Sequence, residues 1–389
     1  MKRVMKIGID ARFYGLKHAG LGRYVKNLIT ELEKIDFENQ YVVFLQDENY
    51  NDYIPQGKNF SKTILKHHPY SIKSQLFDFL ELNKYHFDLV HFPHFSYPVL
   101  YSGKFVVTIH DLIKNEFYNK GSSTRNTFIY KLKHWGYDYV LKKALTKSQR
   151  IITPTHYVKK ELIKNYVLAE GKITAIYEGA EDSFRIQNLG GRIQNEVLEK
   201  YRLQKEKYLL YVGNVYPYKN VQKLLEVFAH LKSNNKKYLQ FDNLKLALVC
   251  SRSVFYDRLK EKIREMNLED TVFMLGFVPD SELSILYQNA LAYITATLAE
   301  GFGITGLEAM AASCPVICSN KTCLPEVYGE ASLYFDPEKT AEITNQIIKI
   351  QNSKIRKKQV ERGKKQVQRY SWAKMATDIL KVYAQINSN

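Results

Sequence analysis

The chain has 389 residues, 45% of them hydrophobic and 13% aromatic, with a formal net charge of +17. This length and apolar content suit two domains of about 150–200 residues, each with its own core, and exclude a disordered chain. No apolar run reaches the ~18–20 residues of a membrane-spanning helix, and the opening MKRVMKIGID lacks the apolar core and cleavage site of a signal peptide, so a cytoplasmic protein is expected.

The positive charge is spread along the chain, with +9 in residues 1–190 and +8 in the remainder. It suits an acidic partner. An anionic membrane surface is one such partner, which would place the protein peripherally on the inner face of the plasma membrane. No nucleic-acid module is recognisable, so nucleic acid is not expected. Cys250, Cys314, Cys318 and Cys323 form no C-x-x-C pair and read as buried thiols, so no metal site is expected.

The first apolar strand, residues 6–10, leads into a stretch bearing Gly15, Gly20 and Gly22, and then into a helical pattern over 24–32. A glycine loop that feeds a helix after a first strand suits a phosphate, although the spacing here does not fit the compact G-x-G-x-x-G of dinucleotide binding. Strand-like text at 41–45, 89–92 and 105–109 alternates with a helix at 70–82. His110 stands at the carboxyl end of the 105–109 strand beside Asp111, where an open α/β sheet presents its ligands. His91 and His94 are left as wall residues. The basic, aromatic stretch 124–145 reads as a packed helix with a solvated face, or as one lying on a membrane. A strand at 151–153, a helix to 162 and a strand from 173 close the first half. Residues 182–206 are polar and show no strand pattern, which is how an interdomain linker reads.

The second half restarts with a strand at 208–212, the turn Gly213-Asn214 and Lys219 just before a helix at 221–231. There an ammonium and a helix dipole would converge on one anion. Strands at 244–249, 272–275 and 291–295 alternate with helices at 256–266 and 281–288. The stretch AEGFGITGLEAMAASCPVICSNKTCLP (residues 299–325) then places a glycine turn, a short helix and a strand in sequence, one βαβ unit with its turn at the carboxyl end of a parallel strand. Backbone N–H groups at Gly301-Phe302-Gly303 and the following helix start suit a phosphate. Glu300 and Glu308 can face the same crevice and accept hydrogen bonds from sugar hydroxyls.

These residues carry a resemblance. Glu300 and Glu308, with seven residues between them, and the surrounding EGFG, LEAMA, PVI and LPEV resemble the E-x7-E motif of the retaining glycosyltransferases of family GT4, which have the GT-B fold. The resemblance extends along nearly the whole chain, through Gly20-Leu21-Gly22, His110-Asp111-Leu112, Gly276-Phe277-Val278 and Lys219. It implies an α/β protein of two Rossmann-like, doubly wound parallel-sheet domains facing a cleft. The expected bounds are 1–185 on the acceptor side, a linker at 186–206, a nucleotide-sugar domain at 207–370, and a helix at 371–389 returning to the first domain.

By the same resemblance, Glu300 and His110 contact the transferred sugar, Lys219 grips the diphosphate and Glu308 holds the ribose. The backbone at Phe277 and Val278 holds the nucleobase, and Gly20, Gly22, Asn214, Gly301, Phe302, Gly303, Ile304 and Thr305 complete the donor site. Asn214 stands where the family commonly has Arg, so Lys219 is left to supply the charge, and Ile304-Thr305 stands where it often has Leu-Pro, which leaves the sugar specificity open. The implied reaction passes a hexose from GDP-mannose or a UDP-sugar to a glycan or lipid-linked glycan with retention. No D-x-D sequence is present to hold a cation, so no cofactor or metal is expected. Two rival readings are an NAD-dependent oxidoreductase, disfavoured by the glycine spacing, and a non-catalytic nucleotide-sugar-binding protein.

Overall fold

A computed structural model describes residues 3–15, 18–113, 127–180, 184, 190–233, 241 and 243–387. They fall into two compact units, one formed by 3–112, 127–179 and 371–387, the other chiefly by 180–370.

The first unit is a seven-stranded sheet in the order β3-β2-β1-β4-β5-β6-β7, every pair parallel. Its strands are β1 (Lys6–Asp10), β2 (Gln40–Leu45), β3 (Phe60–Ile64), β4 (Leu89–Phe92), β5 (Phe105–Thr108), β6 (Arg150–Thr153) and β7 (Ile173–Ala175). The helices are α1 (Ala19–Ile35), α2 (Ile72–Asn83), α3 (Thr127–Lys147) and α4 (His156–Tyr166). Central strands such as LVHF and FVVT are buried at every residue, as a parallel sheet covered on both faces requires.

The second unit is a six-stranded parallel sheet in the order β10-β9-β8-β11-β12-β13. Its strands are β8 (Tyr208–Val212), β9 (Lys245–Val249), β10 (Val272–Gly276), β11 (Ala292–Thr295), β12 (Val316–Ser319) and β13 (Ser332–Phe335). Its helices are α5 (Gly190–Lys200), α6 (Val221–Ser233), α7 (Val254–Glu265), α8 (Asp280–Asn289), α9 (Ile304–Ala311), α10 (Leu324–Tyr328), α11 (Thr340–Ile350) and α12 (Ser353–Val367). Leu209, Leu224, Leu246, Ile294 and Ile347 lie in one core that joins sheet and helices.

The last helix, α13 (Trp372–Asn387), belongs to the first unit and packs on α1. Gly179 sits so close to Trp372 that any side chain there would run into the indole. The residues flanking the long excursion into the second unit, Gly179 before it and Trp372 after it, are thereby held together within the first unit.

Three expectations from the sequence change. Of the expected 186–206 linker, 186–189 lie outside the described residues and 190–200 form α5, which belongs to the second unit. Its apolar signal is weak, because only Val197 and Leu198 are buried. The strand β3 was not expected at all. It lies at the sheet edge, where FSKTI tolerates polar residues on its open side. Residues 124–126 of the expected 124–145 helix lie outside the described residues, and α3 runs two residues further, to Lys147.

Candidate active site

In an open parallel sheet, loops diverge where the strand order reverses, and a crevice opens at the carboxyl ends of the strands. In the second unit that point lies between β8 and β11. The loop after β8 carries Gly213, Asn214 and a 3-10 turn, Pro217–Lys219. The loop after β11 carries Thr297 to Gly303. Two bonds sew these loops together, Leu298 N to Tyr218 O at 2.7 Å and the Thr297 hydroxyl to the same carbonyl at 3.3 Å, and the Thr297 hydroxyl also donates to Ala299 O within its own loop at 2.7 Å.

This brings Lys219 and Glu300, 81 residues apart in sequence, into a direct ion pair between Nζ and Oε2. Their side chains are 15% and 23% exposed, so the pair is shielded but reachable. Burial alone would lower the Lys219 pKa, but the Glu300 carboxylate outweighs it and holds the ammonium above its usual value. Glu300 is fixed from its backbone as well. Its N–H donates to Thr322 Oγ1 at 3.2 Å, and its carbonyl accepts from the Cys323 thiol at 3.2 Å.

The glycine turn after Glu300 is anchored from beneath by buried phenols. The Tyr328 hydroxyl donates to the Gly303 carbonyl, Tyr287 donates to Thr305 O at 3.2 Å, and Tyr293 shares a 2.7 Å bond with Thr305 Oγ1. Burial raises the Tyr293 and Tyr328 pKa values well above the ordinary phenol range, so these groups stay neutral beside Glu300. Gly303 starts α9 with φ +86°, the left-handed region. A Cβ there would also meet the Tyr328 hydroxyl and, at 2.7 Å, Leu324 Cδ2. Phe302 is buried edge-on against Tyr370, with ring centroids 5.7 Å apart.

Ile304 and Thr305 form the first turn of α9, and Glu308 lies one turn on, only 2% exposed. A carboxylate so deeply buried on a short helix is not a solvated surface residue. Asn214 is exposed, with its side-chain oxygen accepting from Tyr216 N at 3.3 Å. Phe277 and Val278 follow β10, two strands away from β8. Phe277 stands out to solvent and Val278 is buried.

The other predicted residues belong to the first unit. Gly20 and Gly22 were expected in a loop, but α1 begins at Ala19 and holds both in its first turn. Gly22 is required there by packing, since a side chain would strike the Gly15 and Phe13 carbonyls, whereas Gly20 has open space. His110, just past β5, has both ring nitrogens engaged: Nε2 lies 2.9 Å from Pro93 O and Nδ1 3.1 Å from Glu178 Oε1. Two acceptors suit the doubly protonated ring. Burial opposes its charge, but Glu178 outweighs burial and the His110 pKa is raised. Beneath it, His91 bonds Tyr383 OH at 2.6 Å and Thr108 Oγ1 at 2.9 Å, and burial lowers its pKa to about 3.

Several residues of this constellation were missed from sequence. Glu178 is one, and its signal was its place shortly after β7, before a glycine. Tyr287, Tyr293 and Tyr328 carry no motif. Around the first unit's own switch point, between β1 and β4, Phe13, Tyr70 and His94 form an aromatic group with centroids 5.3–5.5 Å apart. Among the described residues, no group of three or more His, Cys, Asp or Glu is placed to hold a metal.

Two all-parallel units of this kind, with the last helix returned to the first, define a GT-B protein. Residues 18–184 match the family model described as Glycosyltransferase Family 4, and residues 194–366 that of Glycosyl transferases group 1. The chain belongs to the GT4-type glycosyltransferases. It is 29% identical over 246 residues to O-antigen chain mannosyltransferase B of Escherichia coli, covering 62% of each chain. It is also 29% identical over 232 residues to O-antigen chain mannosyltransferase RfbU of Salmonella typhimurium, covering 60% of this chain and 56% of that one. The chain therefore spans less than two thirds of the length of these relatives. Its fold is similar to that of sucrose-phosphate synthase from Thermosynechococcus elongatus, with TM-score 0.78 at 19% identity over 99% of each chain.

Proposed function

We propose that this chain transfers a hexose from a nucleotide-diphosphate sugar, GDP-mannose or a UDP-sugar, to a hydroxyl of a glycan or lipid-linked glycan, with retention. The observation that carries this reading is the Lys219–Glu300 pair at the β8/β11 switch point, set beside the glycine turn and the start of α9. The two relatives named as mannosyltransferases favour mannose as the sugar.

In this reading the sugar C1–oxygen bond to the diphosphate breaks and a bond from C1 to the acceptor oxygen forms, with the acceptor proton passing to the departing diphosphate or to water. Charge grows on the diphosphate as the bond breaks. Lys219, the Gly301 to Gly303 amides and the α9 N-terminus answer it with fixed positive ends. A phosphate that takes over the Lys219 ammonium releases Glu300 to accept from sugar hydroxyls. Glu308 takes the ribose, Phe277 and Val278 flank the base, and His110 meets the sugar. The phosphate charge is met by protein groups throughout, so transfer is expected to persist in EDTA. The Phe13, Tyr70 and His94 rings suit an acceptor glycan, since sugar faces are apolar.

The test is calorimetric titration of GDP and UDP into wild type and Glu308→Gln. The variant should lose about 1–3 kcal/mol for whichever nucleotide binds, the cost of one charge-assisted hydrogen bond. Unchanged affinity in the folded variant removes the ribose assignment. A wild-type chain that binds neither nucleotide and releases none from GDP-mannose or UDP-sugars removes the whole reading.

A further inference from the structure

In the second unit β11 lies between β8 and β12, so the loop after it, which carries Glu300, has a neighbouring loop on either side. The loop after β8 supplies Lys219. The loop after β12, which runs from Asn320 to Cys323 into α10, meets Glu300 at its backbone. There the Thr322 hydroxyl accepts from Glu300 N at 3.2 Å, and the Cys323 thiol donates to Glu300 O at 3.2 Å. These bonds hold the peptide planes before and after the Glu300 Cα. Each plane is rigid, so together they constrain φ and ψ of Glu300 and the direction in which its side chain leaves towards Lys219. The second plane carries the Gly301 N–H on its opposite edge, so the Cys323 thiol also sets where that amide points.

Thr322 does this in a conformation that threonine rarely adopts. Its φ is +54°, in the left-handed region, where a β-branched side chain crowds its own backbone. A turn with nothing to do but connect would carry glycine or asparagine there. Among the described residues the other β-branched residue in this region is Val167, and it ends α4, where a left-handed residue is a common stop. Thr322 ends no helix. Glycine in its place would relieve the backbone, but the hydroxyl that meets Glu300 would go with the strain. Strain of this kind gathers at functional sites. Cys323 is fully buried, and burial, followed by the Glu300 and Glu326 carboxylates, holds its thiol well above the ordinary pKa. It therefore stays protonated and keeps its donor.

We infer that Thr322 and Cys323 are positioning residues for the transfer reaction: they aim the Glu300 carboxylate and the Gly301 amide, and Thr322 does so at the expense of its own backbone. The segment they begin continues the support, because Leu324 and Tyr328 of α10 lie so close to Gly303 that a Cβ there would meet both. The inference rests on the donor reading of Glu300 given above. It adds to that reading two side chains that act through Glu300 rather than on the donor.

The experiment compares Thr322→Val, Thr322→Gly and Thr322→Ser in the full chain. Thr322→Val keeps the shape and the strain without the acceptor, Thr322→Gly loses acceptor and strain together, and Thr322→Ser keeps the acceptor. With GDP-mannose and UDP-glucose as donors, the first two should lower kcat by about 10–100-fold, as misplaced reacting groups do. Affinity for free GDP or UDP, which carry no sugar, should change by less than about threefold. Thr322→Ser should recover to within about threefold of wild type, and Cys323→Ala should lower kcat over the same range as Thr322→Val. Thr322→Gly should melt above Thr322→Val and yet be no faster, whereas a purely structural role would make activity follow the melting temperature. Amide exchange at Glu300, followed by mass spectrometry, needs no donor, and Thr322→Val should speed it by about tenfold or more. Unchanged exchange overturns the clamp, and faster exchange with near-normal kcat overturns the positioning role while the donor reading stands. A wild type that turns over neither donor overturns that reading and the positioning role with it, and the exchange measurement still decides the clamp.

Discussion

Removing Lys219 tests stability and catalysis together, and the two respond differently to a second change. Lys219→Met leaves the Glu300 carboxylate against the buried Tyr211, Tyr293 and Tyr328 with no cation. Breaking a fully buried pair by removing one partner costs roughly 3–5 kcal/mol. With side chains 15% and 23% exposed, water takes up part of the charge, and about 2 kcal/mol is expected here. For a unit of this size that is a fall in Tm of about 4–8 °C. Glu300→Gln should cost about as much, by stranding the ammonium. The double variant Lys219→Met with Glu300→Gln has no stranded charge and should recover most of the loss, to within about 1 kcal/mol of wild type.

Activity should not recover. The ammonium matters most as charge grows on the leaving diphosphate, so Lys219→Met should lower kcat by about 10²–10³-fold with a smaller rise in KM. The double variant should stay as slow. Differential scanning calorimetry and steady-state release of nucleotide diphosphate on all four proteins read both quantities. A Lys219→Met protein that melts like wild type would mean the pair is not coupled. Near-normal kcat in a folded single variant would mean that the diphosphate is held elsewhere.

Gly303→Ala forces a left-handed residue and drives a methyl group against Leu324 and the Tyr328 hydroxyl, so about 2–4 kcal/mol should be lost in urea unfolding; a loss under about 0.5 kcal/mol would show that the turn relaxes freely. His91 titrates near 6.5 when unfolded but at about 3 when folded, so the unfolded chain takes up more protons between these values and stability falls as pH drops. At pH 5 that is about 2 kcal/mol, which His91→Gln should remove from the acid limb of the unfolding profile. His110 has the opposite sign: its folded pKa is raised, so its contribution is complete below about 6.5 and fades as pH rises through the folded value. Glu178→Gln should flatten that upper part of the profile, and an unchanged upper limb would mean that Glu178 does not hold the proton on His110.

The alternation of apolar strands with periodic helices was enough to read two parallel α/β units, because a sheet covered on both faces writes itself as runs such as KIGID, FVVT and VICS. Elements whose burial is slight left no such trace, which is why the edge strand FSKTI and the helix at Gly190–Lys200 were not expected. The start of α1 was misjudged for another reason. Glycine is a poor helix former, and only the close carbonyls of Phe13 and Gly15 explain why Gly22 lies inside the first turn. Lys219 and Glu300 were each legible within their own motif. Their pairing was not, since it depends on β8 and β11 being neighbours across 80 residues of intervening chain.

The direction in which a helix faces is a separate question from whether it forms. In α2 the 3.6-residue period is the same whether the apolar or the polar stripe points inward, and Arg12 settles it. The same dependence on distant polar partners governs the site residues. His110 holds its orientation through Pro93 and Glu178. The imidazole behind it is held by Tyr383, which the chain delivers only after completing the second unit and returning as α13. The phenol of Tyr383, raised well above its ordinary pKa by burial, stays protonated in its bond to His91. The other ring nitrogen of His91 bonds Thr108, whose hydroxyl also meets Tyr24, the ring packed edge-on against His110 at 4.7 Å. The last helix is therefore part of the wall that positions a site histidine, and its return to the first unit has a chemical consequence as well as a topological one.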